Sequence, residues 1–319
     1  LPHLQLIRDL NKLPSAARGG AVAIGNFDGV HRGHAQLVAR LIAQARQVGG
    51  PAVVFTFDPH PVRILRPEQA PPPLTWTDRK AQLLAELGVQ WIVAYPTDEA
   101  LLSLTDRQFF ERIVRDRLDA RALVEGSNFY FGRDRMGTID VLRTLCDESG
   151  LLLEIVQAVQ CEGAPVSSSR IRSLLMQGDV ASAARLLTRP YRIRGMVTHG
   201  AGRGSKIGFP TANVAAIDTL LPAHGVYAGC AIFGDRRWPA AINLGPAPTF
   251  SELSAKVEVH LIGADLDLYH QPLEVEFLER LRDIQAFAGV DALVAQLQRD
   301  VQAARTVVAT HESRDQGSS

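Results

Sequence analysis

Ala21-Val22-Ala23-Ile24-Gly25-Asn26-Phe27-Asp28-Gly29-Val30-His31-Arg32-Gly33-His34 reads as a short apolar strand, a glycine-bearing loop and the first turn of a helix. Gly25, Gly29 and Gly33 let backbone come close to a phosphate, and a helix N-terminus offers unpaired N–H donors and a positive dipole end. His31 and His34 are three residues apart, so on one helical turn they point the same way. Two imidazoles so placed suit phosphate oxygens that gain charge during attack on an α-phosphate. The blander readings of an H-x-x-H pair are a solvated helix start, or half of a metal site lacking its third ligand.

Working outward, Leu37, Val38, Leu41, Ile42 and Ala45 recur at helical spacing until Gly49-Gly50. A β-rich run over 52–57 ends at Asp58-Pro59-His60-Pro61, a turn that reads as rigid. The pattern then predicts a helix over 78–87, a strand over 89–95, and a helix ending near Leu118 whose start carries a Thr105/Gln108 capping box. Strands follow at 122–125 and 152–156. This alternation predicts an α/β domain with a Rossmann-like parallel sheet and ligands beyond the strands' carboxyl ends. Val166-Ser167-Ser168-Ser169-Arg170-Ile171-Arg172 opens a helix at the far edge of that domain. Its hydroxyls, N–H groups and arginines suit a pyrophosphate leaving group; an ordinary N-cap is the alternative.

After Thr188-Arg189-Pro190, which reads as a linker, the pattern changes. Short β-rich runs at 191–197, 225–233, 239–244, 256–262 and 273–277 predict a small antiparallel β-barrel. An amphipathic helix is expected over 289–307, and a disordered polar tail over 307–319, clearest from His311. The chain has no G-x-x-x-x-G-K-[ST] loop. Instead Gly200-Ala201-Gly202-Arg203-Gly204-Ser205-Lys206-Ile207-Gly208-Phe209-Pro210-Thr211-Ala212-Asn213 reads either as a phosphate-cradling flap or as a plain glycine-rich hairpin. Thr211 and Asn213 share a face in extended chain, and their oxygens suit Mg²⁺. Glu258 alternates with Val257 and Val259; it is either a general base in a barrel mouth or a solvent-facing carboxylate.

At 319 residues the chain exceeds the usual size of one core, so two domains are expected. Split at Pro190, the first part has 22 basic and 20 acidic residues and the second 12 and 14, so neither shows the basic excess of a nucleic-acid-binding domain. Cys146, Cys161 and Cys230 are widely spaced and odd in number, which argues against disulfides and structural zinc and for a reducing, cytoplasmic setting. No signal peptide or run of about 20 apolar residues is legible, and the start at Leu1 suggests N-terminal trimming.

Gly25 to His34, Thr56-Phe57-Asp58-Pro59-His60-Pro61, Gly126-Ser127-Asn128-Phe129-Tyr130-Phe131-Gly132 and Ser167 to Arg172, in that order, resemble the FAD synthetase module of bacterial bifunctional riboflavin kinase/FAD synthetases. The flap through Asn213, Gly225-Val226-Tyr227-Ala228, Asn243 to Phe250, Val257-Glu258-Val259-His260 and Leu281-Arg282 resemble that family's riboflavin kinase barrel. The resemblance implies a synthetase over 1–187 and a kinase over 190–306. In the synthetase, His31, His34, Gly33, Ser167, Ser168 and Arg170 would meet the ATP phosphates, with Gly25, Phe27 and Asp28 lining the nucleotide pocket. Asn128 and Phe57 would border FMN. In the kinase, Gly204, Lys206, Gly208, Pro210, Thr211 and Asn213 would hold ATP. Thr211 and Asn213 would also hold Mg²⁺, Glu258 would activate the ribityl hydroxyl, and Arg282 would border the flavin. Many family members have Thr at Ser169 and Asp at Asn128, Arg at Ser205, and Arg at Ala247.

The implied chemistry is phosphorylation of riboflavin to FMN, then adenylylation of FMN to FAD with release of pyrophosphate, on small-molecule substrates alone. Ser205 and Ala247 motivate one alternative, a monofunctional FAD synthetase with a non-catalytic flavin-binding barrel. A class I aminoacyl-tRNA synthetase is disfavoured by the lack of K-M-S-K-S, and a flavin sensor would show no turnover.

Overall fold

The computed structural model describes residues 5–200, 202, 204–246, 255–264 and 266–316. By packing, the chain divides into one unit of Leu1–Pro71 with Thr75–Ser167 and a second of Pro72–Leu74 with Ser168–Ser319.

The first unit contains β1 (Gln5–Ile7), β2 (Ala21–Ile24), β3 (Ala52–Asp58), β4 (Trp91–Pro96), β5 (Ala122–Gly126) and β6 (Leu152–Val156). Its helices are α1 (Arg32–Gln47), α2 (Val62–Leu65), α3 (Thr77–Glu86), α4 (Glu99–Leu102), α5 (Asp106–Phe109), which runs on as π-helical turns over Phe110–Arg117, and α6 (Ile139–Ser149). A small hairpin joins β7 (Gln160–Cys161) to β8 (Ala164–Pro165).

The six long-range strands form a parallel sheet in the order β1-β4-β3-β2-β5-β6. Successive side chains of a strand face opposite ways, and both faces are covered. Ala21 and Ala23 of β2 pack with Val38, Leu41 and Ala45 of α1, whereas Val22 and Ile24 pack with Phe109, Phe110 and Leu142 on the other side. Small side chains on one face let α1 lie close to the strand whose loop it follows. The chain winds outward from β2 through β3 to β4, then returns to β5 on the opposite side, so the topological switch lies between β2 and β5. The Thr105/Gln108 capping box forms as the sequence implies.

The second unit begins with α7 (Ser168–Met176) and α8 (Val180–Leu187). Six strands follow: β9 (Tyr191–Thr198), β10 (Ala212–Ala215), β11 (Gly225–Phe233), β12 (Arg236–Pro246), β13 (Ala255–Leu261) and β14 (Pro272–Arg282). They close an antiparallel barrel in the order β10-β13-β12-β11-β14-β9, which leaves no unpaired sheet edge. Along β9, Tyr191, Ile193 and Val197 are buried, while Arg192 sits between them and pairs across the ladder with Glu274 and Glu276 of β14.

Packing places α7 and α8 with the barrel, so the spatial break falls between Ser167 and Ser168, ahead of the linker-like Thr188-Arg189-Pro190. The Ala223 N–H donates to the Leu175 carbonyl, and the Leu220 N–H to that of Pro73, tying α7 and the Pro72–Leu74 strip to the loop before β11. The tail differs from its sequence expectation: α9 (Val290–Gln316) continues through 307–316 instead of ending near Val307. Val308 is buried against Cys230 and Leu278, one residue past the expected end, and the Thr310 and Ser313 hydroxyls bond to carbonyls four residues back. Residues 317–319 of that expected tail lie outside the described residues.

Candidate active sites

At the switch point, β2 and β5 are paired only at Ala21 with Ala122 and Val22 with Leu123. Beyond these pairs the strands part, while β2 stays paired with β3 as far as Ile24 and Phe55. The Ile24 N–H, having lost its strand partner, donates to Glu125 Oε1 at 2.8 Å. Glu125 is fully buried, and burial pushes its carboxyl well above the ordinary carboxylate range despite that hydrogen bond. A crevice therefore opens at the carboxyl ends of β2 and β5, where α/β sheets take their ligands.

The loop from β2 to α1 crosses this opening with unusual backbone. Phe27 (φ 46°) and Val30 (φ 40°) are in the left-handed region, which for a β-branched valine is a strained conformation. Asp28 is buried and accepts from the backbone N–H of Thr75, whose hydroxyl in turn accepts from the Gly29 N–H. His31 is the N-cap of α1: its Nδ1 accepts the His34 N–H, and the His34 Nδ1 accepts the His31 N–H. The rings stack at 3.7 Å between centroids. Because each Nδ1 is an acceptor, each ring carries its proton on Nε2, the end directed away from the cap. A Cβ on Gly33 would lie 3.1 Å from the His31 ring, so glycine there lets that ring sit over the helix start. The same Cβ would lie 3.8 Å from the Val166 carbonyl, which brings the strip ending in Ser167 to the N-terminus of α1. Ser168 and Arg170 stand on the first turn of α7, in the second unit.

The other side of the sheet edge is aromatic. Phe55, Phe57, Tyr95, Phe109, Phe129 and Phe131 form a chain of ring contacts, with Phe129 and Phe131 stacked at 5.5 Å. Phe57, Tyr95 and Phe129 are only partly buried, so the cluster offers a flat apolar rim. Asn128 lies in the turn after β5, its Oδ1 close over Gly126. Sequence reading singled out Phe57 and Asn128 but missed Tyr95 and Phe109, whose ring contacts depend on neighbouring strands and helices.

In the barrel, Asn213, Glu258 and Asn243 stand in one row across β10, β13 and β12. Asn243 Nδ2 donates to Glu258 Oε2 at 3.1 Å, and Lys256 Nζ donates to Oε1 at 2.7 Å. Lys256, two residues before Glu258, shares its face; that period-two spacing was readable in the sequence. His260 holds the Pro210 carbonyl through Nδ1 at 2.8 Å and meets Phe209 edge-on, anchoring the turn that carries Thr211. A Cβ at Gly200 would lie 2.1 Å from Asn213 Nδ2, so a larger residue there would displace the Asn213 side chain. Gly204 lies near Thr211 Oγ1, and Lys206 precedes Gly208, a left-handed cap at φ 85°. Arg203 of the flap, and Ala247 with the rest of its segment through Phe250, lie outside the described residues.

Mg²⁺ fits this donor set. Asn213 Oδ1 is buried with no hydrogen-bond donor. An orphaned carbonyl oxygen two residues along the chain from the Thr211 hydroxyl is suitable for a hard cation that draws its other ligands from phosphate and water. Among the described residues, no group of three or more His, Cys, Asp or Glu side chains could hold a metal. Arg282 is engaged within its own unit. Its guanidinium is bidentate to Asp300 of α9, at 3.0 and 2.7 Å, and Asp300 also accepts from Gln296. This pair fastens the end of β14 to α9 beside Phe287.

A parallel sheet with a strained, imidazole-capped loop at its switch point, joined to a small barrel with a flap and a strand carboxylate, defines a two-domain transferase that handles nucleotide phosphates. The family model for FAD synthetase matches residues 13–170 and that for riboflavin kinase residues 187–308. The chain is 38% identical to the bifunctional riboflavin kinase/FMN adenylyltransferase of Pseudomonas fluorescens, over 98% of this chain and all of that protein. It is 35% identical to the protein of the same name from Escherichia coli K12, over 95% and 97%. The chain belongs to the bifunctional riboflavin kinase/FMN adenylyltransferase family. A Streptococcus pneumoniae crystal structure described as a macrolide-efflux protein shares the fold, with a TM-score of 0.84 and 31% identity over 94% of this chain and 98% of that one. Among the described residues, no helix is long and apolar enough to cross a membrane.

Proposed function

We propose that this chain phosphorylates riboflavin to FMN in its barrel and adenylylates FMN to FAD at the switch point of its sheet, both with ATP. The observation that carries the reading is the presence, in one chain, of two separately built sites: the His31/His34 cap on α1 and the Asn213–Glu258–Asn243 row in the barrel. The synthetase is assigned to 1–187 and the kinase to 190–306.

In the kinase, Glu258 takes the proton of the ribityl hydroxyl as its oxygen attacks the γ-phosphorus, and ADP leaves. Lys256 and Asn243 fix that carboxylate's orientation. Thr211 and Asn213 would hold Mg²⁺, which when bound would neutralise phosphate charge. Gly204, Lys206, Gly208 and Pro210 shape the flap over ATP. The Arg282–Asp300 pair supports the flavin end by holding β14 against α9.

In the synthetase, an FMN phosphate oxygen attacks the α-phosphorus and pyrophosphate leaves. The Nε2–H groups of His31 and His34 donate to phosphate oxygens as charge builds. Gly25, Phe27, Asp28 and Gly33 shape the nucleotide loop, and Phe57 and Asn128 border the flavin at the aromatic rim. For Ser167, Ser168 and Arg170 the role in holding pyrophosphate rests on the motif alone. The buried thiols of Cys146 and Cys230 suit a reducing, cytoplasmic setting.

Chromatography of products from riboflavin and Mg·ATP over time tests the proposal. FMN rising first and FAD after it is the expected result. FAD from supplied FMN, with no FMN from riboflavin, would instead favour a non-catalytic barrel.

A further inference from the structure

Beneath the nucleotide loop lies a buried ammonium to which the proposed chemistry gives no role. Lys80, on the inner face of α3, is 7% exposed. Its Nζ makes one hydrogen bond, to Thr56 Oγ1 at 3.4 Å, and that hydroxyl donates to the Asn26 carbonyl at 3.2 Å. Asp28, in the loop, and Asp58, at the end of β3, are the charged groups acting on it from the elements it faces. Thr77 at the start of α3 donates to Asp58 Oδ2 at 2.8 Å, so the same helix holds the carboxyl end of β3 at both Thr56 and Asp58.

Placing a lysine here has a cost that packing alone would not require. An apolar side chain would fill the space without desolvating a charge. The ammonium has three N–H donors and one long hydrogen bond, and the side-chain Oδ1 of Asn26, the residue whose backbone carbonyl ends the relay, is buried without a donor. The loop held this way is the one with strained Phe27 and Val30, whose conformation needs outside support.

We infer that Lys80 is a positioning residue for adenylyl transfer: through Thr56, Asn26 and Asp28 its ammonium holds the Gly25-to-His31 loop in the form that receives ATP. The inference rests on the proposed synthetase reaction, which FAD production by the unaltered chain from FMN and Mg·ATP establishes separately. Burial lowers the Lys80 ammonium below the ordinary lysine value more than Asp28 and Asp58 restore it. Its charge is therefore lost as pH rises into a range where an exposed lysine stays protonated.

The test uses the full chain and its K80M, K80R and T56V variants, with kcat and KM for ATP in FAD formation measured from neutral to alkaline pH. Lys80→Met should lower kcat/KM for ATP roughly tenfold to a hundredfold, the range for losing a charge-assisted contact, with FMN formation unchanged. The unaltered chain should lose FAD formation along an alkaline limb. Lys80→Arg, which keeps its charge, should move that limb upward. Thr56→Val removes the ammonium's acceptor, disfavours the charged form and should move the limb downward. A limb that stays in place in both K80R and T56V overturns the inference, as does wild-type kcat/KM in folded K80M. A merely structural lysine would change the thermal midpoint and leave the limb where it was.

Discussion

Replacing Glu125 by Gln isolates one buried ionisation and gives a signed result. The carboxyl is 1% exposed and accepts one hydrogen bond, from Ile24. Burial raises its folded pKa well above the ordinary value near 4.5. Below that ordinary value Glu125 is protonated in both states and contributes no pH dependence. Above it the unfolded chain releases the proton and the folded unit keeps it, so stability falls as pH rises until the folded pKa is reached. The slope approaches about 1.4 kcal/mol per pH unit. Gln keeps an acceptor for the Ile24 N–H but buries an amide with an added donor, at a pH-independent cost of about 1–3 kcal/mol if unmet. The variant should start less stable in acid and overtake the parent within roughly one to two pH units. Of the three tryptophans, Trp76 and Trp91 lie in the first unit and Trp238 in the barrel. In a Trp238→Phe background, fluorescence melts therefore report the sheet. The two melting curves should diverge by roughly 3–6 °C per pH unit for a domain of this size. Parallel pH dependence in parent and variant would refute the reasoning.

Other substitutions test other parts. Asp300→Ala leaves the Arg282 guanidinium without its bidentate partner, and should destabilise the barrel by about 3–5 kcal/mol, read by urea unfolding through Trp238 in a Trp76/Trp91→Phe background. Asn213→Ala should raise the Mg²⁺ concentration needed for half-maximal FMN formation while leaving the Mg²⁺ dependence of FAD formation unchanged, measured by titrating the metal at fixed ATP. Gly200→Ala places a Cβ against Asn213 and should cut FMN formation with the sheet's melting unaltered.

The parts legible in the sequence were those specified locally. Strand 21–24, the Thr105/Gln108 capping box and the runs that became β9, β11 and β13 follow from period, cap chemistry and turn residues within short windows. β1 escaped because three residues carry too little pattern, and β10 because Ala212–Ala215 is shared with a motif read for its oxygens. The grouping of α7 and α8 with the barrel is decided by long-range contacts such as Leu175 with Ala223. His31 and His34 were visible as a pair, but their reciprocal Nδ1 caps were not. Lys80 and Glu125 look like ordinary surface charges in the sequence, since only the assembled sheet buries them. Arg282 was visible through its motif, but its pairing with Asp300, 18 residues later, was not.

The central claim is that two independent sites act in one chain, and a crossed pair of variants tests it most directly. Product chromatography from riboflavin and Mg·ATP should show His31→Ala accumulating FMN without FAD. Glu258→Gln should fail to make FMN, by about a hundredfold or more for a lost general base, yet convert supplied FMN to FAD at the parent rate. Loss of both activities from either folded variant would contradict the account.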